Sequence, residues 1–203
     1  STFFDSIITV VWIVGICNSI NFFDNLDGGA AGTVAISSIV LAYLALNGDQ
    51  YLIAALSVVT TGSTLGFLVW NKSPAKIYMG DAGALFLGVL LATLTVRFEP
   101  TAQTQMGSFL IPVFLLAIPI LDTTVAVLSR IRRHLSPFQG GQDHLSHRLI
   151  RSGLTRKTSA IVLWSLSGLF AGVSVWLSNA SESSTTYLLI GAGLTWFTLF
   201  ITF

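Results

Sequence analysis

The chain has 203 residues, of which 53% are hydrophobic and only 9% are charged, and its formal net charge is +1. A soluble domain usually has about 25% charged residues, so the composition excludes a soluble protein and indicates an integral membrane protein. The net charge by itself identifies no partner, and we expect no nucleic acid among the partners.

Seven apolar stretches, taken in chain order, are long enough to cross a membrane. Five charge-free runs are each close to the ~20 residues that a spanning helix needs, and two shorter runs, 6–23 and 82–96, complete the seven. Apolar and polar residues do not alternate within the runs, so helices are expected rather than barrel strands. We predict an all-α polytopic bundle in which residues 1–203 form a single membrane domain. Its spans are expected near residues 7–23, 30–46, 51–70, 82–97, 108–128, 160–177 and 186–203.

The basic residues are concentrated on one side of this predicted bundle. When the loops are assigned alternately to the two sides, Arg97 alone among the ten Lys and Arg residues falls on the second side. The positive-inside rule makes the basic side the cytoplasm. The long loop on that side, residues 129–159, is expected to contain a short helix over His144–Ser152 with Asp143 as its N-cap.

The first polar cluster follows the first span and lies on the basic side. Asn18, Asn21 and Asn25 are spaced i, i+3, i+7, which places their amides on one helix face. Asp24 and Asp27 follow within the next turns. Two carboxylates with several amides form an oxygen-rich set that suits Mg²⁺. Helix caps and a polar helix end at the membrane interface explain the same residues about equally well.

The second cluster lies between the third and fourth spans. Asp81 sits among small residues at a helix start, where an acid favours the helix dipole and small neighbours let a ligand approach the backbone. Asn71 ends the preceding span, and the loop returns to the same membrane surface. We therefore expect Asn71, Tyr78 and Asp81 within reach of one ligand. An amide and an aromatic ring would suit a nucleobase. Taken alone, Asp81 is better explained as an N-cap, but its position beside Asn71 and the returning loop favours the ligand site.

The third cluster is in the long loop and contains His144, His147 and Arg148. It lacks the His-Glu-x-x-His pattern of zinc sites. Arginine matches phosphate oxygens with a bidentate fork, and histidine exchanges protons near neutral pH. These residues are thus expected to bind pyrophosphate, with solvated loop histidines as the alternative. Asp122 is an acid within a span, and such acids are usually functional or paired.

Three stretches resemble the polyprenyl-phosphate N-acetylhexosamine-1-phosphate transferases of glycosyltransferase family 4. They are "NSINFFDNLDGGAAG", "FLVWNKSPAKIYMGDAGALFLG", and "PILDTTVAVLSRIRR" followed by "GGQDHLSHRLIRSGL". The resemblance covers almost the whole chain. It implies a Mg²⁺-dependent transferase of a bacterial plasma membrane, with Mn²⁺ as the alternative ion and a homodimer as one option. The enzyme would transfer a sugar-1-phosphate from a UDP-N-acetylhexosamine, with UDP-GlcNAc as first choice, to undecaprenyl or decaprenyl phosphate, releasing UMP.

The resemblance also implies roles for individual residues. Asp24, Asp27 and Asp81 would be catalytic, with Asp24 at the reacting centre, and Asn21 and Asp81 would hold the metal. Substrates would be bound by the remaining polar residues of the three clusters, namely Asn18, Asn71, Tyr78, His144, His147 and Arg148.

The chain departs from the family pattern at several points. Gly29 stands where the family usually has Leu, and Ser146 replaces a common His, which argues against the muramyl-pentapeptide enzyme. The family's earlier Asp-Asp-x-x-Asp cluster does not occur in these residues, so we expect the chain to be the C-terminal portion of a longer transferase. The alternatives are a membrane transporter, for which only Asp122 is suitably placed, and a non-catalytic scaffold of the same fold.

Overall fold

A computed structural model describes residues 2–102, 104–136 and 141–202, with only the backbone for Ser183. All the regular structure in these residues is helical. The helices are α1 (Phe3–Phe23), α2 (Gly29–Asn47), α3 (Tyr51–Asn71), α4 (Gly80–Arg97), α5 (Gln105–Leu115), α6 (Ala117–Arg132), α7 (Leu145–Arg151), α8 (Arg156–Asn179) and α9 (Glu182–Thr202).

Six of these helices are long and apolar enough to cross a membrane, and α5 with α6 makes a seventh span if the two are counted as one. This confirms the predicted all-α membrane bundle. The prediction of one continuous helix over 108–128 is wrong, because α5 and α6 meet at an angle of 71°. The predicted long loop corresponds to residues 133–155, which include α7; residues 137–140 lie outside the described part.

A proline and the serines of neighbouring helices together account for the break between α5 and α6. Pro119 has no N–H, so the Leu115 carbonyl four residues earlier cannot be paired within the helix. The Ser37 hydroxyl of α2 donates to this carbonyl at 2.7 Å. In the preceding turn, Ser174 of α8 donates to the Ile111 carbonyl at 3.1 Å. Since lipid offers no hydrogen bonds to free carbonyls, serines of neighbouring helices stabilise the bent span.

The crossing of α1 and α4 brings two polar helix ends together. Gly88 of α4 lies against the α1 backbone, where an added Cβ would come within 2.7 Å of the Cys17 Cα atom. A side chain at position 88 would therefore push the two helices apart. Cys17 is a free thiol in this contact, as expected of a packing residue. The close crossing places the C-terminal end of α1 beside the N-terminal end of α4.

The polar loops gather at one end of the bundle, called here the polar end. There the Phe22 ring of α1 lies 6.0 Å from the His144 ring and 5.9 Å from the Arg130 guanidinium. At the opposite end, Gln50 and Glu99 are joined by two hydrogen bonds of 2.7 and 2.9 Å. The alternation of loops predicted from the charges is thus present in the fold.

We predict that Ser37→Ala destabilises the protein by about 1 kcal/mol, because it leaves the buried Leu115 carbonyl without a partner. Ser38→Ala is the matched control. The Ser38 hydroxyl is also buried but has no hydrogen-bond partner among the described residues. Reversible unfolding in mild detergent, followed by circular dichroism, measures both. Equal stabilities for the two variants would contradict the role given to Ser37.

Candidate active site

The Asn71 side chain joins three segments at the polar end. Its Oδ1 atom accepts the backbone N–H of Gly28 at 3.0 Å, and its Nδ2 atom donates to the Ile77 carbonyl at 2.9 Å. Gly28 has a left-handed φ of +73°, and its carbonyl accepts the Trp164 indole N–H at 3.1 Å. Asn71 is only 3% exposed. Both ends of its amide have protein partners, and its contact with a nucleobase stays a prediction.

The loop between α3 and α4 lies over the turn between α1 and α2. The Asp27 carboxylate accepts the backbone N–H of Ala75 at 3.2 Å, which ties the turn to the loop. Asp27 is half-buried, whereas Tyr78 at the end of the loop is 77% exposed. Asp27 therefore has one oxygen engaged, and Tyr78 presents an accessible ring at the edge of the polar end.

Asp24 and Asp81 form an acidic pair across the crossing of α1 and α4. Burial raises the pKa of Asp24 to about 6, and the negative charge of Asp81 contributes to this shift. Asp24 is half-buried at the C-cap of α1, and Asp81 is exposed in the first turn of α4. Within the described part of the chain, neither carboxylate forms an ion pair. The pair is thus an uncompensated concentration of negative charge.

The donor set around Asp24 fits a magnesium ion that is shared with a substrate. Asn21 is one turn before Asp24 and adds an amide oxygen on the same helix face. Among the described residues, no three His, Cys, Asp or Glu side chains gather as a preformed metal site. Mg²⁺ commonly binds one or two carboxylates and completes its coordination with water and substrate phosphates. Asn21, Asp24 and Asp81 satisfy that requirement.

A buried network anchors α7 to α6. Asp122, which is 0% exposed, accepts from the Leu145 N–H at 2.7 Å and lies 2.7 Å from Nδ1 of His144. Arg130 contacts Nε2 of the same ring at 3.3 Å. Because a guanidinium can only donate, we assign Nε2 as the acceptor and Nδ1 as the atom that donates to Asp122. His144 is 5% exposed and has both ring nitrogens engaged.

Asp143 extends this network toward the basic residues of the loop. Its carboxylate pairs with Arg130 at 3.2 Å and with Arg133. Burial tends to raise the pKa of Asp143, but the two guanidinium groups hold it below its ordinary value. The predicted N-cap is wrong by one residue, since His144 precedes α7 and makes no side-chain cap bond. Asp143 thus holds Arg130 and Arg133 in place, and Arg130 is not among the residues predicted for the site.

Ser146 connects α7 to the acidic part of the polar end. The Ser146 hydroxyl donates to Oδ1 of Asn25, in the turn that carries Asp24 and Asp27. His147 is half-buried; burial lowers its pKa, and the positive charge of Arg151 lowers it further. The hydrogen bond from Ser146 therefore ties α7, which carries His147, to the turn that carries Asp24 and Asp27.

The structure does not bring all the predicted site residues equally close to the acidic pair. Asn18 is exposed, and its amide donates to the Val14 carbonyl of its own helix at 2.7 Å. Arg148 is half-buried and donates to the Asp143 carbonyl at 2.9 Å. The polar end thus has an acidic half around Asp24 and Asp81 and a basic half around α7.

Known proteins match this chain along most of its length. Residues 1–99 match the model of Glycosyl transferase family 4. The chain is 41% identical over 174 residues to the probable undecaprenyl-phosphate N-acetylglucosaminyl 1-phosphate transferase of Bacillus subtilis, covering 86% of this chain and 48% of that protein. It is 34% identical over 183 residues to the decaprenyl-phosphate N-acetylglucosaminephosphotransferase of Mycobacterium leprae, covering 81% and 46%.

A more distant match is the phospho-N-acetylmuramoyl-pentapeptide-transferase of Anoxybacillus flavithermus, at 32% identity over 173 residues, which covers 84% of this chain and 51% of that protein. The chain spans about half the length of the curated relatives it matches.

We predict that Asp122→Asn loosens α7. Asp122 accepts at both oxygens, but an amide has only one, so its NH₂ group would face either Nδ1 of His144 or the Leu145 N–H. The other histidine tautomer would relieve only the first clash and would direct an N–H at Arg130. A buried unsatisfied group costs about 1–3 kcal/mol, so the amides of Leu145–Arg151 should exchange hydrogen about tenfold faster or more.

Hydrogen exchange followed by mass spectrometry measures this effect. Thr123→Val is the matched control, because the Thr123 hydroxyl is buried with no hydrogen-bond partner in the described residues. If α7 exchanges at the same rate in Asp122→Asn and Thr123→Val, the anchoring role of Asp122 is wrong.

Proposed function

The chain belongs to glycosyl transferase family 4, and from this premise we propose that the protein transfers N-acetylglucosamine-1-phosphate from UDP-GlcNAc to a polyprenyl phosphate. The printed names of the B. subtilis and M. leprae relatives support this sugar and this class of lipid acceptor. Ser146, at a position where the muramyl-pentapeptide enzymes are expected to have His, supports the same choice. The reaction would be the first membrane step of a cell-wall or surface polysaccharide.

The observation that carries the proposal is the meeting of acidic and basic halves at one end of a membrane bundle. Asp24 and Asp81 interact on one side, and α7 is tied to their turn by the bond from Ser146 to Asn25. A soluble nucleotide sugar and a lipid phosphate can meet only at a membrane surface. The concentration of basic residues at this end supports the cytoplasmic surface.

In the proposed reaction, an oxygen of the lipid phosphate attacks the β-phosphorus of UDP-GlcNAc. The bond between that phosphorus and the bridging oxygen breaks, and UMP leaves with the electron pair. Phosphoryl transfer depends mainly on positioning and on stabilisation of charge. His147 and Arg148 would hold phosphate oxygens, and Asp24 would lie at the reacting centre. When bound at Asn21, Asp24 and Asp81, Mg²⁺ would neutralise negative charge on the phosphates.

The buried network makes a transporter less suitable as the function. A transport path would need charged groups near the middle of the membrane, and Asp122 was the one acid placed for that role. Its two oxygens are engaged by His144 and by the Leu145 N–H. An activity assay distinguishes a non-catalytic scaffold from the proposed transferase.

The proposed function is tested by UMP release from UDP-GlcNAc in membranes that contain the protein expressed from its complete gene. We expect UMP only when polyprenyl phosphate is added, with a polyprenyl-diphosphate-GlcNAc product in the lipid fraction. UDP-MurNAc-pentapeptide should not replace UDP-GlcNAc. Absence of lipid-dependent UMP release would leave the scaffold as the better account.

We predict that Asp81→Asn and Asp24→Asn each lower kcat for UMP release by at least about 10²-fold, since each removes a carboxylate that would hold Mg²⁺ against the reacting phosphates. Asp49→Asn is the control, because Asp49 is exposed at the opposite end of the bundle. All three variants should insert into the membrane normally. Turnover by Asp81→Asn at the rate of Asp49→Asn would overturn the assignment of Asp81.

We also predict that chelation with EDTA abolishes turnover and that added Mg²⁺ or Mn²⁺ restores it. Removal of one carboxylate ligand should weaken metal binding, so any residual activity of Asp81→Asn should need a higher Mg²⁺ concentration than the wild type. Initial rates at a series of free Mg²⁺ concentrations measure this shift. Full turnover in EDTA would refute the magnesium proposal.

A further inference from the structure

A groove with both basic and apolar walls lies at the polar end between α6, α7 and α9. Its cavity has a volume of about 420 Å³. Leu128 and Arg132 of α6 lie one turn apart on the same helix face and both line it. Apolar residues of α6 therefore lie deeper in the bundle than the arginine at the end of the helix. Phe200 and Ile201 of α9 add further apolar surface.

The basic lining residues of the groove are Arg132, Arg133 and Arg148. Arg132 is exposed and has no ion-pair partner among the described residues. Arg133 pairs with Asp143, which also serves Arg130. The single carboxylate of Asp143 is therefore shared by two guanidinium groups, and the groove carries a surplus of positive charge.

The pKa of the Arg148 guanidinium lies below its ordinary value, first because of burial and then because of the positive charge of Arg151. The carboxylate of Asp143 offsets only part of this effect. An anion in the groove would relieve the crowding of positive charge.

The groove is distinct from the acidic pair. Asp24 and Asp81 lie where α1 crosses α4, whereas the groove lies between α6 and α9, and α9 has no residue in the acidic pair. Arg148 lies at the border between the groove and the candidate active site.

We propose that this groove binds the phosphate of an anionic glycerophospholipid from the surrounding membrane. Arginine forms strong, charge-assisted hydrogen bonds with phosphate, and basic pockets between spanning helices bind anionic headgroups. The apolar wall of Leu128, Phe200 and Ile201 suits an acyl chain, which free phosphate lacks. A zwitterionic headgroup would bring its own cation into a groove that already has surplus positive charge.

The bound lipid would attach α9 to the rest of the bundle. Of the six spans that a single helix forms in the described residues, α9 has the smallest buried share. Its Trp196 indole reaches the Ala117 carbonyl at 3.4 Å, a long hydrogen bond. The protein itself gives α9 few contacts. A lipid that touches α6, α7 and α9 together would add to them.

The experiment measures lipid retention by native mass spectrometry after transfer of the complete protein from nanodiscs of phosphatidylglycerol or phosphatidylcholine with the same acyl chains. The wild type should retain phosphatidylglycerol in preference to phosphatidylcholine. Arg132→Gln should weaken retention about fivefold, the effect of one basic residue near a headgroup. Lys157→Gln, an exposed basic residue of the polar end outside the groove, should leave retention unchanged.

A second pair of variants separates charge from size. Ser129 lines the groove, so Ser129→Glu places a carboxylate beside the arginines and should displace the lipid, whereas Ser129→Gln has the same length and should retain it. Circular dichroism checks that both variants fold. If Ser129→Glu does not fold, Arg132→Gln against Lys157→Gln decides the question.

The proposal is overturned if phosphatidylcholine is retained as well as phosphatidylglycerol, or if Arg132→Gln and Lys157→Gln behave alike. It is also overturned if inorganic phosphate displaces phosphatidylglycerol at equal concentration, since the apolar wall would then contribute nothing. Preferential retention of polyprenyl phosphate over phosphatidylglycerol would instead make the groove an acceptor site. Because lipid retention is measured without turnover, these outcomes do not depend on the proposed transferase activity.

Discussion

The Asn71 amide is the interaction on which the candidate site depends. Lipid requires each spanning helix to satisfy its own backbone groups, so polar residues become available mainly where helices end. Asn71 uses this position to pair with Gly28 and Ile77, and so joins the α1–α2 turn to the loop before α4. The bond from Ala75 to Asp27 reinforces the same joint. Asp24 begins the turn after α1 and Asp81 follows the loop before α4, so both lie next to the segments that Asn71 joins.

Most of the basic residues at the polar end come from other elements than the acidic pair. Asp24 and Asp81 lie at the end of α1 and the start of α4, whereas the cations come mainly from the end of α6, from α7 and from the start of α8, with Lys72 and Lys76 in the loop before α4. The Asp122–His144 pair holds α7 in place within the bundle, and the bond from Ser146 to Asn25 marks the boundary between the two halves. A phosphate-rich substrate with a divalent cation could be neutralised across that boundary, and an anionic lipid could occupy the outer side of the basic half.

Local sequence patterns predicted the spans and the polar end well, since these depend on hydropathy and on residues close in the chain. The bend at α5–α6 was missed because Pro119 alone does not determine it; Ser37 of another helix must pair the freed carbonyl. His144 was expected to face a ligand, yet it is buried against Asp122, 22 residues earlier. Arg130 lies eight residues after Asp122 on the same face of α6. This spacing was the available signal that Asp122 belongs to a buried polar network.

The central claim is that the turn after α1 and the start of α7 meet at one end of the bundle. It is tested most directly by cross-linking in native membranes with a short bifunctional thiol reagent, using Asn25→Cys with Ser146→Cys in a Cys17→Ser background. Since these side chains are in hydrogen-bond contact, the pair should cross-link nearly completely. A control pair, Asn25→Cys with Glu182→Cys near the opposite end, should remain unlinked. Failure of the 25–146 pair to cross-link, with both thiols reactive, would contradict the account.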